Sequence, residues 1–138
     1  MQTEPVIRVA DERTWIDRVL KHYGLSPDSL VVVPSVSDGC HEHGYAEHNA
    51  GRMAKCFCNW EKGECLIVMR ESFTQSAFDT ANFTMEFRGF VDEVNVLTTP
   101  KLNLLHLLLH EIACHTLRTT EQEARDKWAF AEMTKHDI

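Results

Sequence analysis

TPKLNLLHLLLHEIACHTL, running from Thr99 to Leu117, is the stretch whose reading decides the fold. Thr99 followed by Pro100 is an N-cap with proline at the first helical position, where its missing N–H is no loss, and the apolar run behind it is long enough for about four turns. Such a helix is apolar almost all round, so it is expected to be the central buried helix of the chain. At about 100° per residue from His106, the residues Asn103, His110 and Cys114 lie within about 80° of it and Glu111 at about 140°. Leu104, Leu105, Leu108, Leu109, Ile112 and Ala113 hold the opposite arc. One row of a core helix therefore carries Asn, His, His and Cys with Glu beside it, and polar groups in such a place need a reason.

Downstream, Thr120 and Glu123 have the spacing of a capping box, which starts a last helix running through Trp128, Ala131 and Met133. Upstream, Trp15, Ile16, Val19, Leu20 and Tyr23 share one face of a helix from Asp11, a candidate N-cap, to Tyr23, with Gly24 as its C-cap. Leu30-Val31-Val32-Val33 reads as a buried strand ended by Pro34, and Ser35 to Asn49 as a Gly- and His-rich loop. Arg52 to Glu71 reads as a hairpin turning at Lys62-Gly63, with Trp60 opposite Cys65, Cys58 opposite Ile67 and Cys56 opposite Met69, all on one face. From Asn82 to Leu97 two periods compete, and the alternation of Phe83, Met85 and Phe87 favours a strand first. The resulting expectation is one α+β domain over residues 1–138, a small antiparallel sheet packed on the buried helix and flanked by N- and C-terminal helices.

Composition narrows the functions. The chain has 138 residues with 14 Lys plus Arg against 21 Asp plus Glu, a formal charge of -7 that argues against nucleic acid, whose affinity rests on basic side chains. Residues Met1 to Ala10 hold no apolar export segment and no stretch approaches the roughly 18 apolar residues of a membrane span, so a cytoplasmic chain is expected. Five cysteines cannot all pair, and in a reducing compartment they stay thiols. What needs explaining is 8 His and 5 Cys, the side chains that bind borderline and soft metals.

Residues at i and i+4 of a helix project side by side, so His106 with His110, or His110 with Cys114, can chelate one zinc ion. Glu111, following His110, then stands where it can take a proton from water, the logic of His-Glu-x-x-His peptidases. The run His110-Glu111-Ile112-Ala113, followed by Thr120-Glu121-Gln122-Glu123-Ala124-Arg125-Asp126-Lys127-Trp128-Ala129, resembles the small gluzincin-like zinc peptidases, including ImmA/IrrE-type domains. The resemblance covers about the last third of the chain. It implies a zincin-like fold, zinc as cofactor, two ligands from the active-site helix, a general-base Glu at Glu111, and a third ligand at the start of the next helix. Glu121 is the expected third ligand, because it shares a face with Ala124, Trp128 and Ala131.

The motif departs at its second His. Position 114 is Cys, and His115 points about 140° away from His110 on a regular helix. Cys114 as a thiolate ligand, a π-bulge that turns His115 inward, or His106 paired with His110 would each restore a site, and absence of metal is the remaining alternative. Elsewhere, Cys40-His41-Glu42-His43 with His48 forms a second His/Cys cluster, whereas Cys56, Cys58 and Cys65 read as core thiols. Phe73, Phe78, Phe83, Phe87 and Phe90 read as core or as a homodimer surface. The expected function is a zinc-dependent, peptidase-like hydrolase acting on a peptide or protein. The alternative is a non-catalytic interaction module or homo-oligomeric structural protein on the same scaffold.

Overall fold

The computed structural model describes residues 5–45 and 51–138. Strand β1 (Val6–Arg8) passes through a 3-10 turn into helix α1 (Arg13–His22), followed by β2 (Leu30–Val33) and a short α2 (Val36–Glu42). A hairpin of β3 (Ala54–Asn59) and β4 (Glu64–Arg70) leads into β5 (Ser72–Thr74), and three helices finish the chain: α3 (Gln75–Phe87), α4 (Pro100–Leu117) and α5 (Gln122–Glu132). The class is α+β, as expected.

Helix α4 is the centre of the packing. The Thr99 side chain accepts the Leu102 N–H at 3.1 Å, Pro100 follows it, and the helix ends where Arg118 takes a left-handed conformation at φ 53°. Ten of its 18 residues are buried, so only a narrow strip meets solvent. Leu104, Leu105, Leu108, Leu109 and Ile112 are fully buried, each contributing roughly 1.5–3 kcal/mol of apolar transfer. They pack with Trp15, Ile16, Val19 and Leu20 of α1, with Ile67 and Met69 of the sheet, and with Ala129 of α5.

The sheet under α4 has the order β2-β4-β3 and is mixed rather than wholly antiparallel. β3 and β4 are antiparallel, whereas β2 runs parallel to β4 with Leu30 beside Ile67 and Val33 beside Arg70. Both faces are covered, which suits a sheet containing a parallel pair. One face meets α4. The other carries Val33 and Val68, on which Val36 and Cys40 of α2 pack to form a second small core. β1 and β5 form a separate antiparallel pair.

Several elements differ from expectation, each for a local reason. The hairpin loop is Trp60 to Gly63, not Lys62-Gly63 alone, so Cys58 pairs with Cys65 and Cys56 with Ile67. Trp60 leaves the ladder because its indole N–H donates to the Cys114 carbonyl at 3.0 Å. The segment read as a strand near Asn82 is α3: Thr74 caps it by accepting the Ala77 N–H, and Phe83 and Phe87 are largely exposed. Gly89, at φ 100°, closes α3 with Phe90 N–H on the Met85 carbonyl and its own N–H on Glu86. α1 begins at Arg13 rather than Asp11, and the Ser35 to Asn49 segment contains α2. The Thr120–Glu123 capping box does not form; Glu121 is the N-cap of α5 without a side-chain cap bond. Among the described residues, no helix is long and apolar enough to cross a membrane.

The approach of α2 to β2 is close enough to test. A Cβ on Gly39 would sit 2.8 Å from Cγ1 of Val33, a stiff branched side chain. Gly39→Ala is therefore expected to destabilise by about 1–3 kcal/mol in urea unfolding, although alanine is the better helix former, and Val33→Ala should recover part of the loss. A Gly39→Ala protein as stable as the parent would contradict this packing.

Candidate functional site

Helix α4 sends His106 and His110 towards α5 one turn apart, and Asp126 of α5 meets both. His110 Nδ1 donates to Asp126 Oδ1 at 2.6 Å, and His106 Nε2 donates to the same oxygen at 3.2 Å. Arg88, just beyond α3, donates to the other oxygen, Oδ2, at 2.9 Å. The His106, His110 and Asp126 side chains are 6%, 12% and 3% exposed, and each offers one ligand atom within 4.8 Å of the others. Burial alone would raise the Asp126 pKa, but hydrogen bonds from His106 and His110 hold it well below the usual carboxylate range. Burial pushes the His106 pKa below its usual value, against the pull of Asp126. A neutral His106 that donates from Nε2 carries a lone pair on Nδ1, and that buried atom has no hydrogen-bond partner.

This trio lines a cleft of about 240 Å³ together with Arg52, Asn82, Glu111 and Gln122. Glu111 is held from behind. Arg125 Nη2 donates to Glu111 Oε2 at 3.0 Å, with both side chains 6% exposed, while its Nε donates to the His110 carbonyl at 3.0 Å. The same Nη2 lies 3.6 Å from Cys56 Sγ, so one guanidinium ties α5 to α4 and to the hairpin.

A second group lies past the next turn of α4. Cys56 and Cys58 of β3 and Cys114 of α4 have their sulfurs within 4.8 Å of one another, and Cys65 Sγ is 3.4 Å from Cys58 Sγ. Cys58 is the hub: hydrogen bonds from the Cys114, Cys56 and Cys65 thiols lower its pKa, and burial only partly opposes them. Hydrogen bonding with Cys114 and then Cys58 raises the Cys56 thiol, and hydrogen bonding with Cys58 raises that of Cys65.

The residues singled out in the sequence are thus divided. His106 and His110 come together, with Asp126 as the third member. Cys114 turns to Cys56 and Cys58, which the sequence reading had left as packing thiols. Glu121 is exposed at the head of α5 with its N–H on Thr119 Oγ1 at 3.1 Å, and His115 lies beside Trp60 and Arg118; neither belongs to a group of converging ligand atoms. α4 is α-helical throughout, so no π-bulge turns His115 inward.

Asp126 escaped the sequence reading because α5 was phased on Trp128. That indole lies edge-on to Tyr23 at 5.1 Å, off to the side, while the buried row of α5 is Arg125, Asp126, Ala129 and Glu132, continued by Met133 just past its end. The alternative phase was readable as a row containing Ala129 and Met133. Of the earlier cluster, Cys40 is fully buried among valines, His41 and His43 are exposed, and His48 lies outside the described residues. Comparison of the chain with protein-family models, curated proteins and solved structures finds no match.

The Arg125–Glu111 pair carries a stability consequence. Arg125→Ala would strand a buried carboxylate and is expected to cost about 3–5 kcal/mol in chemical denaturation. Adding Glu111→Gln removes the stranded charge and should recover a large part of that loss. Equal destabilisation of single and double variants would show that the pair is not what Arg125 contributes.

Proposed function

We propose that this chain is a metal-dependent hydrolase of the zinc-peptidase-like type whose ligands are His106, His110 and Asp126, with peptide or protein as the substrate class. The observation that supports it is the convergence of two imidazole nitrogens and one carboxylate oxygen on the wall of an open cleft. Two His and a carboxylate are the donor set of several catalytic zinc sites, which keep a further position open. The His110–Asp126 contact, at 2.6 Å, has to lengthen for both atoms to serve one ion, whose ligand atoms stand roughly 3.3 Å apart.

A metal held there would supply a Lewis acid beside the cleft. The chain's own groups do the remaining work in this reading. Glu111, one residue past His110, lines the same cleft and serves as the proton acceptor. Arg125 keeps that carboxylate aimed, and Arg88 fixes Asp126 so that Oδ1 faces the histidines. Glu121 and His115 have no part in it, and Cys114 acts elsewhere.

One observation favours a second reading. Both carboxylates of the cleft are already paired with arginine, as in a structural ion-pair network, which suits a non-catalytic interaction module on this scaffold. The two readings separate in one experiment. Zinc content of the purified chain is measured for the parent, for His106→Ala/His110→Ala and for Glu111→Gln, alongside cleavage of an unstructured protein such as casein, followed by mass spectrometry. The hydrolase reading expects zinc to fall by about one equivalent in the double variant. It also expects cleavage to fall by roughly 10²- to 10⁴-fold in Glu111→Gln with zinc retained. Unchanged zinc in the double variant would remove the metal centre, and unchanged cleavage in Glu111→Gln would remove Glu111 as base.

A further inference from the structure

We propose that Cys56, Cys58, Cys65 and Cys114 form a second, structural metal site, a closed four-thiolate centre for a zinc-class ion that clamps the β3–β4 hairpin to the C-terminal turn of α4. The inference stands apart from the hydrolase reading, since the two sites share no ligand.

Three constraints on the chain bring the sulfurs together. Cys56 and Cys58 are two residues apart on β3 and so lie on one face, and the hairpin register sets Cys65 directly opposite Cys58. Cys114 arrives from above on α4, held there by the Trp60 indole on its carbonyl. A tetrahedral ion with metal–sulfur bonds of about 2.3 Å requires sulfurs about 3.8 Å apart. The Cys58–Cys65 separation of 3.4 Å and the 4.8 Å bound on the Cys56, Cys58 and Cys114 triangle lie either side of that value, and Cys65, which is outside the triangle's bound, has to close on Cys56 and Cys114 when the ion binds. These separations are far longer than the roughly 2.05 Å of a disulfide, and none of the five cysteines is in one.

Packing alone does not account for this cluster. Cys40 shows what a packing cysteine looks like in this chain, fully buried among Val33, Val36 and Val68. Cys56, Cys58 and Cys65 are instead only partly buried, and Cys56, Cys58 and Cys114 open onto a cleft that Tyr45, Phe57 and Trp60 also line. Thiols are poor hydrogen-bonding groups, so three of them meeting around a fourth is little use to a fold unless something binds them. Four thiolates around a divalent ion leave a net charge of -2, and the Arg125 guanidinium 3.6 Å from Cys56 Sγ is placed to offset part of it. Soft sulfur donors select zinc and similar ions over calcium or magnesium. Binding transfers no electrons: each thiol that ligates releases its proton to solvent, and the metal–sulfur bond takes its place.

Cobalt(II) titration of the reduced full-length chain under nitrogen tests this. The expected result is a thiolate-to-cobalt charge-transfer band in the near ultraviolet with tetrahedral d–d bands in the red. These should saturate at about one equivalent and be abolished by zinc. The band should persist in His106→Ala/His110→Ala and in Cys40→Ala, and weaken or vanish in Cys58→Ser and Cys114→Ser. Because the double histidine variant keeps the sulfur site, loss of the hydrolase reading and loss of this one are told apart. Absence of the band in a parent chain whose thiols all react with a thiol reagent would overturn the proposal, whatever the variants do. So would a full-strength band in Cys58→Ser.

Discussion

A helix enclosed on nearly every side that nevertheless carries Asn103, His106, His110 and Glu111 imposes the constraint on which the rest of this structure depends. Each buried polar group left unpaired costs about 1–3 kcal/mol, and a bare carboxylate costs more, so partners have to be brought to α4 rather than left to water. Asn103 is met by Asn82 of α3 and by the Thr99 carbonyl. His106 and His110 are met by Asp126, and Glu111 by Arg125. The two consecutive α5 residues, Arg125 and Asp126, therefore fix how α5 is rotated against α4. Arg88 at the end of α3 closes the set by pairing with Asp126. The positions of three helices follow from the polar row of one.

How much of this could be read in the sequence depended on whether a signal was local. The Thr99-Pro100 start, the leucine arc and the polar row of α4 are all properties of one contiguous stretch, and they survive in the structure with the helix boundaries expected. β2 was equally legible, since four apolar residues ended by proline leave few choices. The hairpin was half legible. Lengthening its loop by two residues on the N-terminal side shifts the pairing by two but preserves which residues share a face, so the common face of the cysteines was correct while their partners were not.

The failures were tertiary. Phe83, Met85 and Phe87 alternate as a strand would, but two of them face solvent, and the pattern is an accident of where α3 exposes its aromatics. The phase of α5 was set by its largest apolar residue, Trp128, although that ring packs sideways on Tyr23 and the helix faces α4 with charged residues. Hydrophobic periodicity misplaces a helix whose buried face is ionic, because the ion pairs that justify it lie on another segment. The apolar period therefore points to Glu121, whereas the ionic face of α5 holds Asp126.

The altered position of the His-Glu-x-x-His-like motif takes on a different sense beside this geometry. His106, His110 and Cys114 recur every four residues along α4, so each lies about 6 Å from the next along the axis. An ion bound at His110 can use the neighbour on one side or the other, and not both. Asp126 stands on the His106 side. The hairpin thiols stand on the Cys114 side. A histidine at position 114 would place a borderline nitrogen donor among three sulfurs, within reach of His110, and would let the two sets compete for one ion. Cysteine there matches its three neighbours in softness and leaves the nitrogen and oxygen donors to the other end. Arg125, touching Glu111, the His110 carbonyl and Cys56, occupies the boundary between them. On the two proposals made above, the departure from the motif is what lets one helix serve two centres of different chemistry without exchange between them.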